Sequence, residues 1–343
     1  MTPSFAVWDG RAGAGQKTWL EHWEAWPERE PWAHPAYVDL DAGEDGEPRC
    51  AVWESAEGSV LYPFILRGVA GGTDIRTPYG YGGAFFWGSD RDGIAEAFWP
   101  AFDEWAAGEG VVSEFVRLAL FADEILSYPG ETEVKLQNIV RKLDLPEEEL
   151  WMDVEHKVRK NVKKARRSGL TVEVDRDGTR LDDFVDLYHG TMERRGAREE
   201  YHLRRGYFER LVRGLPGHFA FFHAIHEGRV VSTELALVSE RSVYSFLGGT
   251  EEAAYPLRPN DLLKWEICLW AMAEGKERFV LGGGLEPDDG VFRHKLAFAP
   301  NGRVPFLVGR RILRPEAYER LVKAREQEPD WRPREGYFPV YRA

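Results

Sequence analysis

Glu57-Gly58-Ser59-Val60 recurs 170 residues later as Glu227-Gly228-Arg229-Val230, and each quartet sits between two apolar, alternating runs, as the turn of a β-hairpin does. Further landmarks follow each turn in the same order. A strand ends in a glycine pair, Gly82-Gly83 in the first half and Gly248-Gly249 in the second. Apolar residues at i, i+3, i+4 and i+7 come next, from about Ile94 to Ala107 and from Leu262 to Ala273, and predict amphipathic helices. Both helices end in Glu-Gly, at Glu109-Gly110 and Glu274-Gly275, a helix-stop signal. A short apolar strand closes each series, Phe115-Val116-Arg117-Leu118 and Phe279-Val280-Leu281. The spacing between partners drifts only from 170 to 164 residues, so the sequence reads as a domain duplicated in tandem.

Hairpin strands, then a helix, then a further strand is the order of the GNAT acyltransferase fold, a mixed sheet with helices on its faces. The predicted class is therefore α/β (α+β) with two GNAT-like domains, and 343 residues suffice for both. The Pro- and acid-rich Leu145-Pro146-Glu147-Glu148-Glu149 marks a boundary, giving domains 1–150 and 151–314. Residues 315–343, a last helix and a tail with Trp331, Tyr337, Phe338 and Tyr341, have no counterpart in the first half and are expected to pack back on the first domain. No long heptad arm is present.

A hydrophobic content of 43 % with 13 Trp excludes a disordered chain. Cys50 and Cys268 match no metal or redox spacing and read as core residues of a protein in a reducing compartment. Met1 to Gly10 shows no signal-peptide pattern and no run reaches the ~20 apolar residues of a membrane span, which predicts a soluble, cytoplasmic protein. No metal site is visible, and the oligomeric state is not legible. Net charge is −13, which argues against nucleic acid until its distribution is inspected. His156 to Arg167, HKVRKNVKKARR, carries seven basic residues and no acid, leaving −20 on the rest of the chain.

That basic run predicts a helix docked by a narrow apolar stripe, Val158, Val162 and Ala165. Lys157, Arg159, Lys160, Lys163, Lys164, Arg166 and Arg167 on its other faces suit a polyphosphate or an RNA backbone, and equally a solvated face balancing an acidic body. An acetyl-CoA enzyme of the GNAT type needs a Gly-bearing loop, of the form Q/R-x-x-G-x-G/A, to hold pyrophosphate on backbone N–H groups. The second half has Thr250 to Asn260 there, with two acids and two prolines and no glycine, and Trp87 to Gly93 is no better; CoA as donor is disfavoured. The glycines Gly282-Gly283-Gly284 end a strand, where they permit close backbone approach. Beyond them Lys295 stands among Phe292, Leu296 and Phe298, desolvated enough to steady an oxyanion or phosphate, or simply snorkelling from an apolar strand. Glu234, on the strand with Ser232, is a candidate general base, and Asp261 reads as a helix-start dipole partner.

Together these segments resemble the FemABX family. The residues that carry the resemblance are Trp151 with the basic run through Gly169-Leu170, the strand Tyr244-Ser245-Phe246-Leu247-Gly248-Gly249, the helix start Pro259-Asn260, Leu281-Gly282-Gly283-Gly284, the Phe292-x-x-Lys295-x-x-Phe298 segment and, in the first half, Thr77-Pro78-Tyr79-Gly80-Tyr81-Gly82-Gly83. The resemblance spans most of the chain. It implies a tandem GNAT-like fold and amide-bond formation with aminoacyl-tRNA as co-substrate, no other cofactor, and commonly a peptidoglycan precursor as acceptor. It further implies that Lys295 matters for transfer, that the seven basic residues of the helix meet tRNA, and that Tyr79, Tyr81, Tyr244 and Phe292 bind substrate. Family members hold a nucleotide diphosphate with basic residues, yet the region from Trp32 to Ala51 is mostly aromatic and acidic. Arg67, Arg195 and Arg204 stand as substitutes, and a small antibiotic-type amine is an alternative acceptor. Two rival readings remain open: an acyl-CoA-dependent N-acyltransferase, and a non-catalytic tandem GNAT module that binds RNA or a metabolite.

Overall fold

The computed structural model describes residues 2–11, 13–284, 286 and 288–343. In chain order it comprises β1 (Ser4–Asp9), α1 (Gly13–Ala25), α2 (Pro35–Ala42), β2 (Gly46–Glu54), β3 (Gly58–Val69), β4 (Gly72–Arg76), β5 (Phe85–Gly88), α3 (Arg91–Gly108) and β6 (Val111–Arg117). Then come β7 (Glu131–Lys142), α4 (Glu147–Asp153), α5 (His156–Arg167), β8 (Thr171–Asp175), α6 (Leu181–Arg195), α7 (Arg205–Gly214), β9 (Phe219–His226), β10 (Arg229–Val238) and β11 (Ser242–Thr250). The chain ends with α8 (Pro259–Ala273), β12 (Arg278–Gly282), α9 (Gly290–Leu296), β13 (Arg303–Ile312) and α10 (Pro315–Glu326). Two compact units result: Met1–Lys135 with Phe306–Ala343, and Leu136–Pro305. The division falls inside β7, where the sequence carries no punctuation, rather than at the Pro- and acid-rich stretch that suggested residue 150.

In unit 1, β1, β2, β3 and β4 pair antiparallel in succession, β4 pairs β6 in parallel, and β13 runs antiparallel to β6, with β5 beside β3. The core is unusually aromatic because α3 turns Ile94, Phe98, Trp99, Phe102 and Ala106 onto β3, where Tyr62 and Phe64 meet them edge-on or tilted. Each such ring contributes about 1.5–3 kcal/mol by leaving water. The last residues bind this unit: Tyr341 shares a hydrogen bond of 2.7 Å with Ser113 Oγ, and Arg342 Nε donates to Asp74 at 2.7 Å.

Unit 2 repeats the order. β8, β9, β10 and β11 pair antiparallel in succession, β11 pairs β12 in parallel, and β7 runs antiparallel to β12. α8 stands where α3 stands in unit 1, between the hairpin strands and the parallel strand. The two turns that open the comparison join β2 to β3 and β9 to β10, and Glu227 and Gly228 both take positive φ, 48° and 79°, the combination a tight hairpin turn requires. Cys50 and Cys268 are free and buried, and burial pushes the Cys268 thiol up to about 12. Among the described residues no helix is long and apolar enough to cross a membrane.

Candidate active site

Parallel pairing between β11 and β12 is brief. It covers Ser242 with Arg278, Val243 with Phe279 and Tyr244 with Val280, although β11 continues to Thr250 and β12 to Gly282. On the other side of β11 a bulge at Phe246 shifts the register against β10. Polar side chains from three elements meet where the pairing ends. Lys264 of α8, nearly buried, donates from Nζ to a Glu234 carboxylate oxygen of β10 and to Ser245 Oγ of β11 at 2.7 Å, with the Phe279 ring 5.7 Å away. An ammonium and a carboxylate so far from water persist only because each satisfies the other.

Lys295 lies next to this pair, on a short helix rather than on a strand. Asp289 starts α9 by accepting from the Phe292 N–H at 2.7 Å, and Lys295 falls in its last turn. Its Nζ donates to the Gly283 carbonyl at 2.7 Å. The glycine run exists for this contact: a Cβ on Gly282, whose φ is 79°, would stand 3.3 Å from Lys295 Nζ, and one on Gly284 would stand 2.6 Å from the Asp289 carboxylate. The close approach expected there is thus used first by side chains of α9. Desolvation, reinforced by the Lys264 cation, pulls the Lys295 ammonium down to about 8, against the opposing pull of Glu234 and Asp289. His294 is held below its usual range, chiefly by burial, and it senses Asp261, Lys264 and Glu234.

α5 docks on α8 through Val158, Val162 and Ala165, all fully buried, as the stripe predicts. Asn161 on the same face donates to Asp261 Oδ1 at 3.1 Å, so Asp261 bonds across to α5. Lys157, Lys160, Lys163, Lys164, Arg166 and Arg167 are exposed, whereas Arg159 folds back on the carbonyls of Trp151, Met152 and Val154 and closes the end of α4. Arg166 pairs with Glu266 at 2.7 Å, Lys157 with Glu155 at 3.3 Å, and Lys163 lies over the Trp151 ring; Lys160 and Lys164 have no ion-pair partner among the described residues.

The other candidates do not gather here. Tyr244 and Phe292 are buried, at 3 % and 2 % exposure, and serve the core of unit 2; the Arg303 guanidinium covers Phe292. Arg195 and Arg204 are exposed, at the end of α6 and just before α7. Arg67, Tyr79 and Tyr81 belong to unit 1. Arg67 is bound to the fully buried Asp74 at 2.8 Å, which removes it from the set of spare cations. Tyr81 packs edge-on against Trp32 and Phe306, and Tyr79 is about half exposed.

Residues 153–295, the core of unit 2, match the acetyltransferase (GNAT) domain family. Over its length the chain superposes on the crystal structure of FemX with a TM-score of 0.69 at 14 % identity, covering 90 % of this chain and 98 % of that one. The fold is a FemX-like tandem GNAT fold. Two other solved structures match with lower TM-scores. L-PGS from Bacillus licheniformis gives a TM-score of 0.52 at 14 % identity over 89 % of this chain and 93 % of that one. A tandem GNAT protein from the clavulanic acid biosynthesis pathway gives 0.50 at 11 % over 91 % and 98 %. A search of curated proteins found no match.

Within this tandem GNAT chain the loop from β11 to α8 can be compared with what a pyrophosphate would need. A 3-10 turn, Glu252–Leu257, consumes its amides, Arg258 takes φ 67°, and Pro259 offers no N–H. Asn260 turns inward to accept from Ser232 Oγ at 2.9 Å and Thr250 Oγ1 at 2.7 Å, and Asp261 adds a carboxylate in the first turn. Sequence reasoning had not singled out Lys264, Ser245 or His294. The signal for Lys264 was present, since it lies on the apolar face of its helix with Asp261, Trp265 and Cys268, where a lysine requires a buried acid.

Proposed function

We propose that the chain is an acyltransferase of the aminoacyl-transferring kind, which moves an amino acid from aminoacyl-tRNA to an amine. The observation that carries this reading is Lys295, whose ammonium rests on the Gly283 carbonyl beside the Lys264–Glu234 pair, where β11 and β12 cease to pair. In the proposed reaction the acceptor nitrogen attacks the aminoacyl ester carbonyl, an N–C bond forms, the bond from carbonyl carbon to ribose oxygen breaks, and the proton lost by the amine passes to that oxygen. Negative charge gathers on the carbonyl oxygen, and Lys295 steadies it from a site depleted of water. Glu234, engaged by Lys264, holds that second cation in place rather than standing open to a substrate proton. The exposed lysines and arginines of α5 supply a phosphate-binding face, and Arg159 is left out of it. Carriage of an amino acid to a lipid or peptidoglycan precursor is a matter for the acceptor, which we take to be an amine-bearing precursor or small metabolite.

The acetyltransferase description of the matched domain favours an acyl-CoA donor instead, while the acidic, proline-bearing β11–α8 loop disfavours it. Transfer of label from a mixture of charged tRNAs, run beside labelled acetyl-CoA, separates the two. The expected result is a ribonuclease-sensitive product that falls by roughly 10²–10³-fold in Lys295→Ala. Label arriving only from acetyl-CoA would overturn the proposal.

A further inference from the structure

Unit 1 holds an arginine that no carboxylate among the described residues pairs with directly. Arg117 ends β6, and its backbone is clamped from both sides by the loop after β4: its N–H donates to Thr77 Oγ1 at 2.8 Å, and its carbonyl accepts from the Gly82 N–H at 2.8 Å. The loop is itself fixed, since Gly80 takes φ 112° and a Cβ there would stand 2.3 Å from the Trp32 ring. So held, the Arg117 guanidinium is half-buried between the Tyr79 ring, 5.8 Å away, and the Phe115 ring, 5.4 Å away. One long hydrogen bond, to the Thr77 carbonyl at 3.4 Å, engages one of the five N–H donors a guanidinium carries.

The neighbouring arginines show what is missing. Arg67 faces Asp74, Arg311 faces Glu114, and Arg342 faces Asp74. Arg76, the cation nearest in character to Arg117, is satisfied by the carboxylate and the carbonyl of Asp41, and that same carboxylate accepts from the Tyr79 N–H. Arg117 has no ion-pair partner among the described residues; Arg76 adds a second positive charge to its surroundings, which the Asp41 carboxylate already bound to Arg76, with Tyr79 and Tyr37, offsets from a distance. A desolvated, unpaired cation is costly to a fold that gains nothing from it. Its planar fork matches an oxyanion with two oxygens side by side, and the aromatic walls exclude the water that would weaken the bond.

We infer that Arg117, flanked by Tyr79 and Phe115, is a binding site in unit 1 for the oxyanion of a small ligand, a carboxylate or a phosphate, with the exposed Tyr79 ring as the flat wall against which the rest of that ligand lies. The site is independent of the donor assigned above and of Lys295.

Isothermal titration of the full chain with inorganic phosphate, inorganic pyrophosphate and glutarate, at fixed ionic strength and with chloride as control, tests it. Saturable binding of at least one of the three is expected, weakened roughly 10- to 100-fold in Arg117→Gln and less in Arg117→Lys, which keeps the charge but loses the fork. Lys17→Gln, at an exposed lysine of α1 with no part in either site, is expected to leave that binding unchanged. Binding confined to the phosphates or to glutarate identifies which oxyanion the site takes. If Arg117→Gln misfolds, Tyr79→Ala, a change at a half-exposed ring, serves in its place and is expected to weaken binding several-fold. Absence of saturable binding to the wild type, equal binding in Arg117→Gln, or an equal loss in Lys17→Gln would each overturn the site. Oxyanion binding at Arg117 without any transfer from tRNA would leave the site standing and the proposed function refuted, so the two fail separately.

Discussion

Lys264→Met isolates the buried pair at the candidate active site. The substitution keeps the length of the side chain and its packing against Phe279, but it strands the Glu234 carboxylate, which is 6 % exposed and pairs with Lys264. Removing one partner of a buried pair costs ~3–5 kcal/mol, because the remaining charge has neither water nor a counter-ion. For a unit of about 170 residues, where each kcal/mol moves the midpoint by ~2–4 °C, the melting temperature should fall by roughly 6–20 °C. The double variant Lys264→Met/Glu234→Leu removes both charges and should recover most of that loss, to within ~1–2 kcal/mol of the wild type. Urea unfolding of the four members of the cycle measures the coupling. A second readout separates function from stability. The Lys264 cation is one of the groups that lower the Lys295 pKa to about 8, and Glu234 opposes it, so Lys264→Met alone should raise that value toward 10.5 and move the alkaline limb of the transfer rate to higher pH. A single variant within ~1 kcal/mol of the wild type, with an unmoved pH limb, would refute the reasoning.

The remaining predictions concern other parts of the molecule. His223 is fully buried, with Nδ1 3.0 Å from Thr233 Oγ1, and burial holds its pKa below the ordinary 6.5 despite Asp175; His294 shifts the same way. A lowered histidine pKa means that the unfolded chain takes up the proton first, so stability should fall as pH drops below 6.5, by up to ~1.4 kcal/mol per pH unit for each group. His223→Gln should flatten that slope in urea titrations at pH 7 and 5.5, and an unchanged slope would remove His223 from the account. Gly282→Ala forces an L side chain into φ 79° and toward Lys295 Nζ, at ~1–2 kcal/mol of strain, and should lower transfer by more than its loss of stability explains. Lys160→Gln/Lys163→Gln/Lys164→Gln should flatten the dependence of log K for tRNA on log salt by about 2–3 by filter binding, whereas Arg159→Gln should instead weaken folding near α4.

Much of the fold is written in local signals. The hairpin turns, the glycine pairs and the i, i+3, i+4, i+7 helices are consequences of backbone geometry and of one-sided burial, so their order can be compared along a chain without knowing any tertiary contact. The stripe Val158, Val162, Ala165 was legible for the same reason. Glu234 and Lys264 are thirty residues apart, and neither carries a mark of the other; their pairing depends on α8 crossing β10 and on where β11 leaves β12. The helix bearing Lys295 has only seven residues, too few for its periodicity to be separated from that of a strand, and what forms it is a single cap at Asp289. Arg67 and Arg159 looked like spare cations because a sequence shows charge but not the carboxylate or the carbonyl that absorbs it.

The duplicated order makes the chemistry of the two units comparable strand by strand. In unit 1 the parallel pair β4 and β6 carries Asp74, Ser113 and Glu114, none of them reaching solvent. Glu114 accepts from Tyr62, Tyr128 and Arg311, and Asp74 accepts from Arg67, Tyr341 and Arg342. Both carboxylates there are saturated, and Tyr341 and Arg342 supply two of the donors to Asp74, so the paired stretch of β4 and β6 is filled by the protein's own side chains. In unit 2 the polar groups gather beyond the end of the parallel pair, where Lys264 donates to Ser245 and Lys295 donates to the Gly283 carbonyl. The acetyltransferase match, confined to residues 153–295, falls on the half whose polar groups are left available. Duplication thus yields one half whose parallel pair is closed by ion pairs along its length and carries Arg117 at its end, and one whose parallel pair is followed by the Lys264–Glu234 pair and Lys295.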